Sequence, residues 1–326
     1  MDLGVFYRYL KRVYTEVSAL SAQSGYSRYY HLWDYMTALV RHGAHIDQYV
    51  GGGFWRYSNA MRSKCLTHYR RLSLERKYNN PADIHFFKNK PEFNVFFKDY
   101  VRRGWLWLAE ATFDDFKAFL LRYRSVIVKP MDGKQGYGIR KLDYTGQDDQ
   151  QLRGIYDTLH EENMLIEELI VQHPDLVFNN RSVNTVRVLT ACRPDGTARV
   201  MKAFLRIGVG DTLVDSTAAG GYYYEVDVDS GVVTSGGTSK EGDYVFVHPK
   251  TDIVVIGLKV PRWEEVIAIC LDAASCQPRV ALIGWDVAVS QDYVQLVEGN
   301  NSPDYIGYEF VGTNGYYEKI KNFLEK

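Results

Sequence analysis

The chain is poor in cysteine. Four thiols, Cys65, Cys192, Cys270 and Cys276, are scattered over 326 residues with no CxxC pair, so neither a zinc-finger tetrad nor a disulfide framework is expected, and a reducing cytoplasm fits best. It also lacks an excess of charge. Lysines and arginines nearly cancel the acids at a net −1, which leaves no global field to recruit nucleic acid and confines any anion site to a local cluster. Long apolar runs are missing too: the opening MDLGVFYRYLKRVYTEV is broken by Arg8, Lys11, Arg12 and Glu16. It reads as neither a signal peptide nor a membrane span of about 20 apolar residues, and a soluble protein is expected. Finally there is no GxxxxGK[ST], GxGxxG or GxSxG, and no repeat or low-complexity segment. These absences remove the P-loop, the dinucleotide fingerprint and the nucleophile elbow.

What is abundant is tyrosine, 25 in all, with many in the first eighty residues beside Trp33 and Trp55. A helical core filled with aromatic rings is favoured over a sugar-binding or membrane-facing surface. Apolar residues recur at helical spacing from Asp2 to about Asn80: residues 29–42 place Leu32, Tyr35, Met36 and Leu39 on one face, Gly51-Gly52-Gly53 interrupts, and 58–77 resumes. Residues 1–83 therefore form a helical N-terminal module bounded near Asn80-Pro81, because a residue before proline is pushed out of the helical region. Helices are expected over 93–103 and 113–122, the second started by Thr112, Asp114 and Asp115. After Ser125 the texture turns to strands: SVIVKP, YGIRKL, NMLIEELI, SVNTVRVLTAC, ARVMKAFLRIG, YYYEVDV, GVVTSG, ALIGWDVAV and YVQLVEGN. One helix over 261–274 interrupts them, with Pro261 in its first turn. The pattern is α+β with a mainly antiparallel sheet.

Three stretches carry chemistry. In SVIVKPMDGKQGYGIRKL a strand runs into Lys129-Pro130 and a loop with Gly133, Gly136 and Gly138. Glycines free backbone N–H groups to approach an anion closely. The loop is a candidate cover for phosphates with Lys129 rising from its first strand; the bland alternative is an ordinary turn beside an exposed lysine, and Lys134 at the tip has no assigned role. In GWDVAVSQDYVQLVEGNNSP, Glu298 and Asn300 share a strand face. An odd-numbered turn would set Asp286 opposite Glu298 on that face, whereas a two-residue turn would set it on the other. Two carboxylates and an amide oxygen suit Mg²⁺, and acids among so many apolar residues are costly to bury unpaired. Between these stretches, a hairpin at Pro194-Asp195-Gly196 puts Thr185 and Arg187 on one strand face and Lys202, Phe204 and Arg206 on one face of its partner. An even-numbered loop would gather Arg187, Lys202 and Arg206, cations that are either paired by acids or placed to meet a phosphate or carboxylate.

Lys129-Pro130 with the glycine loop, Glu167-Glu168-Leu169-Ile170, Asn184-Thr185-Val186-Arg187-Val188, Gly284-Trp285-Asp286 and Glu298-Gly299-Asn300 come in the order of an ATP-grasp ligase. From about Asn89 onward the chain resembles the sugar-transfer-associated branch found with polysaccharide biosynthesis genes, related to the teichuronopeptide-type proteins. The resemblance implies an ATP-grasp fold with a lid and nucleotide-binding subdomain over 84–170 and a catalytic subdomain with a metal site over 171–326. It implies ATP and Mg²⁺ as cofactors, with Lys129 and Lys90 on the phosphates, although Lys88 and Lys98 compete for the second role. Gly133, Gly136 and Gly138 would form the lid; Glu167, Glu168 and the Leu169 backbone would meet adenine and ribose, with Gln172 a further ribose contact. Asp286, Glu298 and Asn300 would hold Mg²⁺, while Arg187, with Lys202 or Arg206, would face the transferred phosphate. One departure is Ser216, where relatives carry asparagine after the Asp215 position; it leaves the roles of Asp215 and Gly220-Gly221 open. The implied reaction joins a small-molecule or glycan-linked carboxylate, such as a uronic acid, to an amine through an acyl phosphate, with possible association with membrane-bound glycan assembly enzymes. Two alternatives stand beside it, an ATP-grasp kinase and a non-catalytic nucleotide-binding scaffold for a glycosyltransferase complex.

Overall fold

Helix caps and glycine stops build the first third of the chain. In the computed structural model, which describes residues 2–132, 136–178, 181–239, 243–249, 251–303 and 315–326, α1 (Leu3–Ser24) is capped by the Asp2 carboxylate and α2 (Arg28–His42) by the Ser27 hydroxyl. Gly25 and Gly43 end them in the left-handed conformation that favours glycine. The shorter α3 (Ile46–Val50), α4 (Asn59–Lys64) and α5 (His68–Tyr78) follow. Val13, Val17 and Leu20 of α1 pack with Tyr35, Ala38, Ile46, Tyr49 and Phe54, so part of the aromatic content does fill a helical core. Inside it the Asp34 carboxylate accepts two bonds of 2.7 Å from Arg62 and one of 2.9 Å from the Tyr49 hydroxyl. Leu66 and Leu74 belong elsewhere, in a cluster with strand residues Leu189 and Phe204. The last helix of the module is thus seated on the sheet that follows.

Next come α6 (Lys90–Phe96), β1 (Trp105–Trp107), α7 (Phe113–Tyr123), β2 (Ser125–Pro130), β3 (Arg140–Asp143), α8 (Asp149–Glu161) and β4 (Met164–Glu168). The four strands form an antiparallel sheet in the order β1-β4-β2-β3. Alternation decides its two faces. Val126, Val128 and Ile166 pack against Phe116 and Leu120 of α7 and Leu152 and Leu159 of α8, so Lys129 and Glu167 take the opposite face.

The second sheet is antiparallel and seven-stranded, ordered β11-β10-β5-β6-β7-β8-β9, from β5 (Val186–Cys192), β6 (Ala198–Ile207), β7 (Tyr222–Val226), β8 (Gly237–Thr238), β9 (Tyr244–Val245), β10 (Leu282–Val289) and β11 (Val294–Asn300). Helix α9 (Trp263–Cys276) packs on one face with Val188, Ala203 and Trp285 in the largest apolar cluster. The C-terminal helix Tyr316–Leu324 lies with Leu189, Phe204 and Tyr223 on the other. The α+β, mainly antiparallel expectation holds. No helix among the described residues is long and apolar enough to cross a membrane.

Local expectations differ in several places. The helical stretch over 58–77 is split, because Cys65 is extended and separates α4 from α5. Helix α6 begins at Lys90, capped by the Asn89 side chain with Pro91 in the first turn, and stops at Phe96, short of residue 103. The chain then extends along β11, where Leu296 N–H donates to Tyr100 O at 3.0 Å. Strand β1, only three residues long, gave no alternation to read. Helix α8 was missed despite a capping box between Asp148 and Gln151. GVVTSG forms only isolated bridges at Val232 and Val233. Pro261 precedes the cap of α9, whose cap residue is Arg262 at φ 54°, instead of occupying the first turn.

Candidate functional site

Two β-bulges align the charged residues. Between β10 and β11, Val289 pairs with Val294 across the loop from Ser290 to Tyr293, an even-numbered loop that by itself would set Asp286 opposite Val297. A bulge between Asp286 and Val287 inserts one residue, and Glu298 comes opposite Asp286 instead. Between β5 and β6, Cys192 pairs with Ala198 across an odd-numbered loop, and a second bulge beside Leu189 brings Arg187 opposite Phe204. Glu298, Asp286, Arg187 and Arg206 therefore share one face of the large sheet, the face away from α9.

On that face the arginines are paired by acids. Arg187 holds Asp286 through both carboxylate oxygens, the Nη2 bond at 2.8 Å. Arg206 donates to Asp286 Oδ2 at 2.6 Å and, on its other side, to Asp215 Oδ1 at 2.6 Å. Asp215 also accepts from the Thr185 backbone at 2.8 Å and from its hydroxyl at 2.5 Å, so this carboxylate fixes the start of β5 relative to Arg206. Burial opposes ionisation of Asp286, but Arg187 and Arg206 outweigh it and hold its carboxyl well below the usual carboxylate range. Glu298 behaves oppositely. Its side chain is 53% exposed, and partial desolvation, then the neighbouring Asp286 charge, push its carboxyl up.

Two lysines are held by the small sheet. Lys129 of β2 donates to the buried Glu167 of β4 at 2.5 Å, and Arg103 grips the same carboxylate at 2.9 Å. Burial again opposes the charge on Glu167, and the two cations outweigh it and hold its carboxyl well below the carboxylate range. Arg103 also donates to Leu296 O at 2.7 Å and Val297 O at 3.0 Å, tying the small sheet to β11 one residue before Glu298. Lys90, the first residue of α6, donates to Pro130 O and Met131 O at 2.8 Å each. Burial lowers its pKa; Glu298 opposes that and Lys129 adds to it.

Other sequence-predicted residues fall differently. Glu168 accepts from Gly104 N–H at 2.9 Å through its side chain. Gln172 spends its amide on Asn184, donating to its carbonyl at 2.8 Å and accepting from its N–H at 3.2 Å, while Leu169 continues the chain out of β4. Lys202 is only 1% exposed; it sits 3.2 Å from Glu225 and over the rings of Tyr316 and Phe204, sealed beneath the C-terminal helix and apart from the arginine pair. Asn300 lies beside Glu298, to whose Oε1 it donates at 3.1 Å. Gly136 has φ 82°, and a β-carbon there would lie 2.5 Å from Val214 Cγ1, so the glycine loop approaches the segment that carries Asp215. Gly138 is likewise left-handed at φ 76°, whereas Gly133 and Lys134 lie outside the described residues. Gly299 is required for a different reason: a β-carbon would press on Phe93, Phe87 and Trp285 at about 3 Å. Arg103 was missed by sequence reasoning because nothing in its Arg-Arg-Gly context distinguishes it from a surface cation.

The donor set fits a hard cation. No group of three or more His, Cys, Asp or Glu side chains is gathered for a metal among the described residues, but Asp286 and Glu298 are register partners across β10 and β11, and the Asp286 charge adds to burial in raising the Glu298 carboxyl. Two carboxyls facing each other across a strand pair, with an amide beside one of them, are what a divalent cation with remaining water and phosphate ligands would relieve. Arg206 Nε is buried and has no hydrogen-bond partner among the described residues, leaving one N–H for an anion.

A family model described as sugar-transfer associated ATP-grasp matches residues 69–325. No curated protein matches the chain. Similar solved structures include the ATP-grasp ligase PsnB complexed with minimal precursor, Mg and ADP, 16% identical over 76% of this chain and 62% of that one, with a TM-score of 0.46. The ADP complex of the N5-carboxyaminoimidazole ribonucleotide synthetase purK is 11% identical over 79% and 58%, TM-score 0.49. D-alanyl-alanine synthetase A from Vibrio cholerae is 14% identical over 74% and 60%, TM-score 0.39. The chain spans less than two thirds of the length of each of these.

Proposed function

The chain belongs to the sugar-transfer associated ATP-grasp family, and from that premise we propose that it is an ATP- and Mg²⁺-dependent carboxylate–amine ligase acting through an acyl phosphate. The observation that carries the reading is the Arg103 tie, which holds Glu167, the partner of Lys129, to the backbone of β11 next to Glu298 and so joins the lysine side to the face that carries Asp286, Arg187 and Arg206. Family membership supports the coarser statement, an ATP-dependent ligase. The choice of a uronic acid or other glycan-linked carboxylate, an amine acceptor, a role in polysaccharide assembly and a cytoplasmic setting is the finer part of the proposal.

In this reading Lys90 and Lys129 bind phosphate oxygens. Lys129 reaches them while Glu167, itself clamped by Arg103, fixes the direction of its ammonium. Asp286, Glu298 and Asn300 would hold Mg²⁺, which when bound supplies charge neutralisation on the transferred phosphoryl group. Arg206, with its free Nε–H, orients the oxygens of the carboxylate under attack, and Arg187 keeps Asp286 ionised and aimed. The glycine loop, meeting Val214 through Gly136, excludes water from an intermediate that water would destroy.

The test is stoichiometry. Purified protein with Mg-ATP, a sugar-acid panel and an amine should release ADP and inorganic phosphate in equal amounts, together with an amide. Phosphate retained on the product would make the protein a kinase, and nucleotide binding with no turnover on any substrate would favour a scaffold.

A further inference from the structure

The helical module carries an apolar face that none of the described residues covers. On α2, His31, Asp34, Tyr35, Ala38 and His42 point into the core. Tyr29, Trp33, Met36 and Val40 recur at i, i+4, i+7 and i+11 on the opposite side and are exposed at 73%, 71%, 53% and 77%. On α1, Leu3, Phe6, Tyr7, Leu10 and Tyr14 make a second exposed stripe at helical spacing. The stripes meet at Arg28, whose guanidinium lies 4.8 Å from the Tyr14 ring centre and 5.3 Å from that of Tyr29. Half of the large apolar side chains exposed among the described residues fall between Leu3 and Val40. A helix that is apolar on both sides needs its outer side covered, and a contiguous exposed apolar patch marks an interaction surface.

The chemistry of the patch selects its occupant. Tyrosine and tryptophan, apolar in body and polar at the tip, suit the level of lipid headgroups. Arg8, Lys11, Arg28 and Arg41 are distributed along the same two helices. The acids there are Glu16, 3.8 Å from Arg12, and Asp34, buried against Arg62, so the outer surface is left cationic. An amphipathic surface of this kind lies in the plane of an anionic bilayer. These helices also precede residue 69, where the family match begins, so they are an addition to the matched portion.

We propose that α1 and α2 dock the protein on a membrane surface containing anionic lipid, with Trp33, Met36, Val40 and the α1 stripe entering the headgroup boundary. The proposal uses no residue of the cleft and stands independently of the ligase reading. The test is co-sedimentation of the full chain with phosphatidylcholine vesicles, with and without about one third phosphatidylglycerol, followed by Trp fluorescence. Binding to the anionic vesicles with a blue shift is expected. It should weaken about tenfold or more in Trp33→Glu/Met36→Glu, and weaken with loss of anionic selectivity in Arg28→Gln/Arg41→Gln; thermal midpoints would show that both variants stay folded. Two outcomes overturn the proposal. One is no binding of the wild-type protein to either vesicle. The other is a concentration-dependent dimer in sedimentation velocity that Trp33→Glu/Met36→Glu abolishes, which would make a second copy of this chain the occupant.

Discussion

Replacing Glu167 by alanine separates two roles that this residue could play. The sequence likeness puts it beside adenine and ribose, whereas the structure buries its carboxylate between Arg103 and Lys129. Arg103 is buried as well, and its remaining partners are two neutral carbonyls of β11. Removing Glu167 would leave a guanidinium inside the protein without a counter-charge, and breaking a buried pair in this way costs about 3–5 kcal/mol. Lys129 is more solvated and loses less. Urea unfolding of Glu167→Ala should therefore show a stability loss of about 3–5 kcal/mol, and Glu167→Leu/Arg103→Met should recover most of it because no lone charge remains. If Glu167→Ala unfolds like the wild type, within about 1 kcal/mol, while KM for ATP rises, the residue faces the nucleotide and the account of how the two sheets are tied is wrong.

Three further outcomes follow from the same geometry. Asp286→Ala should lose both turnover and about 3–5 kcal/mol of stability, since Arg187 and Arg206 lose their shared partner; Glu298→Gln, at an open position, should keep stability within about 0.5 kcal/mol but lose about 100-fold or more in kcat. An equal stability loss in the two variants, measured by urea unfolding, would contradict the division of labour. Lys129→Ala should leave the fold intact, because Arg103 still holds Glu167, and lower ATP turnover by about 100-fold; unchanged ATP consumption would sink its assignment. Burial lowers the His68 pKa from 6.5 to about 4, with Arg71 adding to the effect, and burial also lowers His31 and His42. Their neutral forms belong to the folded state, so this contribution is complete above pH 6.5 and is lost as the unfolded chain takes up protons between pH 6.5 and about 4. His68 alone accounts for at most about 3.5 kcal/mol of that, and a thermal-midpoint profile that is not flattened over this window by His68→Gln would refute it.

Sheet membership was readable where strands are long and apolar. The β5, β6, β10 and β11 segments and the Lys129 strand all lie where alternation and turn residues put them, as does α2, whereas the stretch 58–77 divides into α4 and α5 at Cys65–Thr67. Registry was not. Both alignments that matter, Asp286 with Glu298 and Arg187 with Phe204, depend on loop parity plus one bulged residue, and a bulge is a compromise between two strands that neither sequence announces by itself. The same limit applies to partners. Arg187 and Arg206 could be read as a cationic cluster, but that Asp286 and Asp215 neutralise them, or that Lys202 ends in an aromatic box under the C-terminal helix, follows only from packing between segments far apart in the chain. Aromatic residues in α1 and α2 could be counted from the sequence, yet which fill the core and which face outward was settled by how α1, α2 and α3 pack.

The most direct test of the central claim follows the oxygen. With a turnover-competent sugar acid labelled with ¹⁸O in its carboxylate, plus Mg-ATP and an amine, the account predicts one labelled oxygen in the released inorganic phosphate for each ADP formed, and none with Glu298→Ala. Unlabelled phosphate, or label retained wholly in a phosphorylated product, would show that no acyl phosphate forms and that the cleft performs a different reaction.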